Sequence, residues 1–311
     1  MPTRHRLLAV VVAVIWGVNF LAIDAALAQF PPMFAVVLRF VVLAVPTLLW
    51  VPRPEVPVRW LLAYGLGFGV LQFAFLYAGL AAGMPTGLAS LVLQSSAPFT
   101  VVLGAALLRE RMTPRAVVGL ALAVLGLGVV GWSRADAGAG LLPFLLVLAG
   151  GLGWSLGNLG SRLARAPKPL HLTLWMSVVP PVPMLALALA VEGPARIGDS
   201  LHELGARTGL LALAGLAYTA VIATVVGSGI WTWLMARHPA GAVAPFSMLV
   251  PVVGMSTAWL VLGERIDVVE AAGAILVIGG VLVGSRTGRR ARPAPAPAAR
   301  QVTPASLPCR T

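Results

Sequence analysis

Ten apolar blocks, separated by short connectors rich in Pro and Arg, constrain this chain more than any other feature. They fall at residues 7–28, 33–51, 60–82, 87–108, 116–132, 141–160, 170–191, 208–235, 240–262 and 268–285. A helix rises 1.5 Å per residue, so blocks of about this length cross ~30 Å of hydrocarbon. A β-barrel would need alternating segments of roughly 10 residues, and no such pattern runs through the chain. Composition agrees, with 59% hydrophobic and 10% charged residues against roughly 25% charged in soluble chains. The expected fold class is an all-α polytopic membrane protein with ten transmembrane helices. The first block follows Arg4 and Arg6 but lacks a small-residue cleavage site, so it is expected to stay as the first span. Pro180, Pro181 and Pro183 make the seventh span the least regular, either kinked or re-entrant.

The net charge of +12 would suit a nucleic-acid binder, but its placement argues otherwise. With the N-terminus in the cytoplasm, 17 of the 22 Lys and Arg residues fall on that side. Outside connectors hold Arg134, Arg196, Arg207 and Arg265, and Arg39 lies within a span. This asymmetry is the positive-inside pattern, and it puts both termini in the cytoplasm of a bacterial inner membrane. The lipid bilayer is the expected partner, not nucleic acid. Residues 286–311 form a basic, Pro/Ala-rich tail expected to be disordered, whose start could touch anionic headgroups. Cys309 is the one cysteine, and neither a metal site nor a cofactor site is expected.

The second half echoes the first. Leu108-Arg-Glu110-Arg111 and its following helix align with Leu262-Gly-Glu264-Arg265 at an offset of 154 residues. Across 108–130 the identities are Leu108, Glu110, Arg111, Gly119, Leu122, Gly126 and Val129. Trp16-Gly-Val-Asn19 resembles Trp154-Ser-Leu-Gly-Asn158, and Pro98 and Pro251 sit mid-span in the fourth and ninth blocks. Two five-span units, residues 1–133 and 141–285, are therefore expected. Five is odd, so the copies must face opposite ways, and such inverted repeats belong to secondary transporters. The paired prolines predict interrupted helices near the membrane centre, where transporters bind their cargo.

Further stretches carry a family resemblance: Trp16-Gly-Val-Asn19-Phe20, Leu38-Arg39-Phe40, Gly87-Leu-Ala-Ser-Leu-Val-Leu-Gln94 and the two Glu-Arg connectors. Together they resemble the EamA branch of the drug/metabolite transporter superfamily. Gln72-Phe-Ala-Phe75, Gly83-Met-Pro85, Ala244-Pro245 and Leu249-Val-Pro251-Val-Val-Gly254 extend the likeness towards its exporters of cysteine and O-acetylserine. The resemblance implies a central cavity bounded by helices 1, 3, 4, 6, 8 and 9, with helices 5 and 10 peripheral. It also implies export of small polar metabolites related to amino acids; a broader exporter of drugs, purines or other solutes is the alternative.

Candidate cavity residues are Trp16, Asn19, Gln72, Tyr77, Gln94, Ser95, Pro98, Trp154, Asn158, Trp231 and Pro251. Amides, hydroxyls and aromatics at mid-span suit a small polar or zwitterionic solute. The same groups can also bond helix to helix. Asp24 and Arg39 lie at similar depths and are expected to pair, either as a gate or as a static bridge. An intramembrane enzyme is disfavoured, because no HExxH, paired aspartates or P-loop is present and no catalytic residue is assigned. Helices 5 and 10 are rich in Gly and Ala, and could pack on their own bundle or in a homodimer.

Overall fold

The computed structural model describes residues 1–136, 140–202 and 204–285; the tail and Cys309 lie outside the described residues. Ten helices are long and apolar enough to span a membrane. They are α1 (Thr3–Leu27), α2 (Pro32–Trp50), α3 (Val58–Ala81), α4 (Thr86–Leu108), α5 (Pro114–Asp136), α6 (Leu142–Ala164), α7 (Pro169–Val191), α8 (Arg207–Arg237), α9 (Ala244–Leu262) and α10 (Val268–Ser285). A short helix, Pro194–Ser200, lies between α7 and α8. Large apolar side chains such as Leu49, Val124, Leu260 and Ile275 point outward. That arrangement suits a surface solvated by lipid.

Local chemistry sets the ends of the helices. Proline occupies the first turn of α2, α6 and α7, where its missing N–H leaves nothing unpaired. Asp267 and Glu270 form a reciprocal cap at the start of α10: the Val268 N–H donates to Asp267 and the Asp267 N–H donates to Glu270. Both α4 and α9 end on a left-handed residue, Arg109 (φ 54°) and Gly263 (φ 69°). The next N–H, of Glu110 or Glu264, bonds back to the carbonyl of Gly104 or Ala258. These positions match under the 154-residue offset, so the repeat is visible in backbone geometry.

Packing between helices obeys the same pseudo-twofold relation. α1 packs on α8 and α9, while α6 packs on α3 and α4; α2 meets α7, α4 meets α9, and α5 meets α10. Each contact is either the image of another or its own image. Gly119 and Gly126 of α5 cross Gly273 and Gly280 of α10. A Cβ on Gly126 would stand 2.7 Å from the Gly273 carbonyl, and one on Gly280 would stand 2.6 Å from that of Gly119. Only glycine allows this approach, and two of the seven repeat identities lie in it. The small-residue faces of α5 and α10 thus meet each other within one chain.

The helix interruptions are also repeated, but at places the prolines alone did not mark. α3 widens into a π-helix over Gly65–Gln72 and α8 over Tyr218–Gly227. α4 tightens into a 3-10 turn at Leu93–Ser95 and α9 at Ala244–Met248. Each tight turn precedes its proline, Pro98 or Pro251, because a prolyl residue offers no N–H to the carbonyl four residues earlier. α7 remains a full span, broken only over Ser177–Pro180.

Candidate functional site

Most of the sequence-predicted residues gather along the seam between the halves. Trp16 on α1 donates its indole N–H to the carbonyl of Ala223, 3.0 Å away in the π segment of α8. Its ring lies 5.2 Å from that of Trp231. Trp154, the repeat equivalent on α6, sets its ring edge-on to Phe68 in the π segment of α3. Each half therefore lays a tryptophan against the widened helix of the other, where wide turns leave room for it.

Gln94 is buried, and its amide donates to the Ser247 carbonyl at 3.2 Å. Ser247 stands four residues before Pro251, so its carbonyl is the one that the proline deprives of a helical donor. Gln94 on α4 thus replaces a backbone bond missing from α9. Asn158 donates to Thr100 at 3.4 Å across α6 and α4. Its counterpart Asn19 has no such hydroxyl, because the α9 residues matching Thr100 are Val253 and Gly254, and its Oδ1 is buried without a partner. Pro98 lies apart from these residues: it lines a hollow of about 100 Å³ with Gly119 and Gly280, where α4 of one half meets α5 and α10. A larger hollow, about 520 Å³, lies by Arg4, His5 and Trp233, at the end carrying the N-terminus.

The expected pair of Asp24 and Arg39 does not form. Among the described residues the ion pairs are Arg134–Glu270 and Arg162–Glu110. Asp24 instead accepts from the Thr86 hydroxyl at 3.4 Å. Arg39 is 5% exposed, donates through Nη2 to Thr224 of α8, and lies over the Phe73 ring at 4.2 Å. The α2 helix turns this side chain towards α3 and α8, away from the end of α1. Among the described residues, the buried side-chain nitrogen and oxygen atoms without a hydrogen-bond partner are Asn19 Oδ1, Arg39 Nε and Nη1, Gln72 Oε1, Tyr77 Oη and Ser95 Oγ.

Three carboxylates that sequence reasoning did not assign to the site hold the halves together. Glu264 accepts from the Thr86 and Gly87 N–H groups at 2.7 and 2.9 Å, capping α4. Glu192 caps α2 by accepting from the Met33 and Phe34 N–H groups. First-turn N–H groups lack helical partners and carry the positive end of the helix dipole, so an anion suits both places. At the other end Glu110, the repeat equivalent of Glu264, takes both terminal nitrogens of Arg162. That guanidinium holds the exposed Glu110 carboxyl below its usual range. The repeated Glu-Arg connector signalled Glu110 and Glu264 but not Glu192, and nothing in the sequence indicated the partners of any of the three.

The EamA-like transporter family matches residues 4–132 and 141–286, one copy on each half. A Salmonella typhimurium protein named "probable amino-acid metabolite efflux pump" is 38% identical over 300 residues, covering 94% of this chain and 99% of the relative. An Escherichia coli protein of the same name is 38% identical over 288 residues, with 91% and 95% covered. A solved structure titled only as a crystal structure of protein shares the fold at a TM-score of 0.58 and 18% identity, covering 91% of this chain and 96% of its own. With both halves matched and a close relative aligned nearly end to end, this ten-helix membrane protein belongs to the EamA-like transporter family.

Proposed function

We propose that the protein exports small polar metabolites related to amino acids, among them cysteine and O-acetylserine, across a bacterial inner membrane. The observation that carries this reading is the 38% identity, over nearly the full length, to proteins named for amino-acid metabolite efflux. The buried amides and hydroxyls at the seam support it, since they suit a polar cargo. The protein works as a transporter, not as an enzyme, with residues 1–133 and 141–285 as its two moving units. Both termini lie in the cytoplasm, a reading supported by the concentration of Lys and Arg at that end. Alternating access then requires the Glu110–Arg162 pair and the Glu264 cap to open in turn, one at each end of the seam.

The test is overexpression in a bacterial host, with cysteine and O-acetylserine measured in the medium. Both are expected to rise above an empty-vector control. No rise with verified membrane-inserted protein refutes the cargo and leaves the family membership untouched.

A further inference from the structure

Arg39 is a buried cation without a counter-ion. It is 5% exposed, and no carboxylate lies within 4.0 Å of it among the described residues. Its one hydrogen bond goes to the neutral Thr224 hydroxyl at 3.2 Å, and that hydroxyl is itself tied to the Thr219 carbonyl. Nε and Nη1 have no acceptor. The Phe73 face at 4.2 Å and Phe40 at 5.8 Å steady the charge through their ring electrons but satisfy none of these N–H donors. Beside Arg39 lies Tyr77, fully buried and close enough for its hydroxyl to feel the guanidinium, but outside hydrogen-bonding geometry.

A guanidinium cannot shed its proton at any pH a cell reaches, so burial cannot neutralise it. Within a membrane, such a group is held for function or paired with a charge. Among the described residues no charge pairs with Arg39, and its neighbours come from both halves: Phe73 and Tyr77 on α3, Thr224 in the widened turn of α8. A packing bridge would need only the Thr224 bond and the ring contact. After those are made, Nε and Nη1 still have no acceptor, and the neighbouring Tyr77 hydroxyl makes no hydrogen bond in good geometry.

We propose that Arg39 is the carboxylate anchor of the transport site, with the Tyr77 hydroxyl as a second donor to the same group. The cargo is then a carboxylate or a zwitterion, and its anionic end, not its side chain, is what the protein selects. This rests on the transport reading above but not on the amino-acid assignment. A carboxylate accepts charge-assisted hydrogen bonds from guanidinium and phenol alike. An ester or amide of the same skeleton keeps the shape and loses the charge.

The experiment measures ligand-induced thermal stabilisation of the purified full-length protein in detergent. The probes are L-cysteine, O-acetyl-L-serine, propionate, the methyl ester of each amino acid, and inorganic phosphate. The wild type is expected to bind acids at least tenfold more tightly than their esters. Arg39→Gln should remove that preference, and Arg39→Lys should keep part of it. If acids and esters bind the wild type equally, the proposal is overturned without recourse to any variant. It is overturned equally if phosphate alone binds, if no carboxylate binds, or if a folded Arg39→Gln protein retains the preference. Propionate binding that depends on Arg39, without binding of either amino acid, would uphold the anchor and refute the cargo assignment.

Discussion

Replacing Gln94 with Leu removes the donor that α4 offers to the Ser247 carbonyl and leaves the buried volume nearly unchanged. The bond measures 3.2 Å, at the long end of the N–H···O range. Side-chain bonds between membrane helices contribute about 0.6–2 kcal/mol, and an acceptor stranded in the interior costs roughly 1–3 kcal/mol. A long bond to a carbonyl that retains some local contact belongs low in these ranges, so the expected loss is about 1 kcal/mol. The cause is specific, because the Ser247 carbonyl wants a donor owing to Pro251. Pro251→Ala restores an N–H at that position, and Gln94 should then matter little. The double-mutant cycle should therefore show a coupling of about 1 kcal/mol, within the range for residues sharing one partner. The assay is equilibrium unfolding in detergent micelles, with all four proteins compared for folding before denaturant is added. Equal destabilisation by Gln94→Leu on the Pro251 and Pro251→Ala backgrounds would refute the idea that Gln94 substitutes for the missing backbone donor.

Three other perturbations test the frame around this seam. Glu264→Gln should weaken the cap on α4 by about 1 kcal/mol. It should also raise the maleimide reactivity of a cysteine placed at Thr86, and unchanged reactivity would argue against a closing role. Glu110→Gln should matter only where Glu110 is ionised. Its folded-state pKa is depressed, so its stabilising effect is present above the usual glutamate value of about 4.3 and is lost as pH falls through the lower folded value. The difference from wild type in thermal midpoint should vanish in acid and shrink in high salt, since both partners are substantially exposed. Gly126→Val should destabilise by about 1–3 kcal/mol through overpacking against the Gly273 carbonyl, read as a lower unfolding midpoint, whereas Gly128→Val meets no neighbour and should be near neutral.

How much of this was legible in advance differs from residue to residue. Asp267 and Glu270 announce a helix start by their spacing, because both partners of the cap are three residues apart. The repeat could be read from Gly119, Gly126 and Glu110, since twofold packing needs the same small residue or the same turn twice. Arg39 and Asp24 were matched in depth along neighbouring spans, but depth fixes only one coordinate. The rotation of α2 about its own axis sends Arg39 to Phe73 and Thr224 instead. Pro98 and Pro251 lie just after the segments where α4 and α9 tighten into 3-10 turns. Which neighbours each proline meets was not in the pattern, and Pro98 lines the hollow beside α5 and α10.

By itself, the sequence determined the membrane solvent, the ten spans, the doubling of a five-helix unit and many helix ends. All of these depend on hydrophobic length, local capping or self-similarity, which are properties of neighbours along the chain. Only the tertiary structure decided that Gln94 serves Pro251, that Glu264 caps α4, and that Arg39 lies buried with two idle donors. In each case the partners are distant in sequence. What joins them is the need to pair polar groups where no water reaches, and that need is met by whichever donor the packed helices bring near.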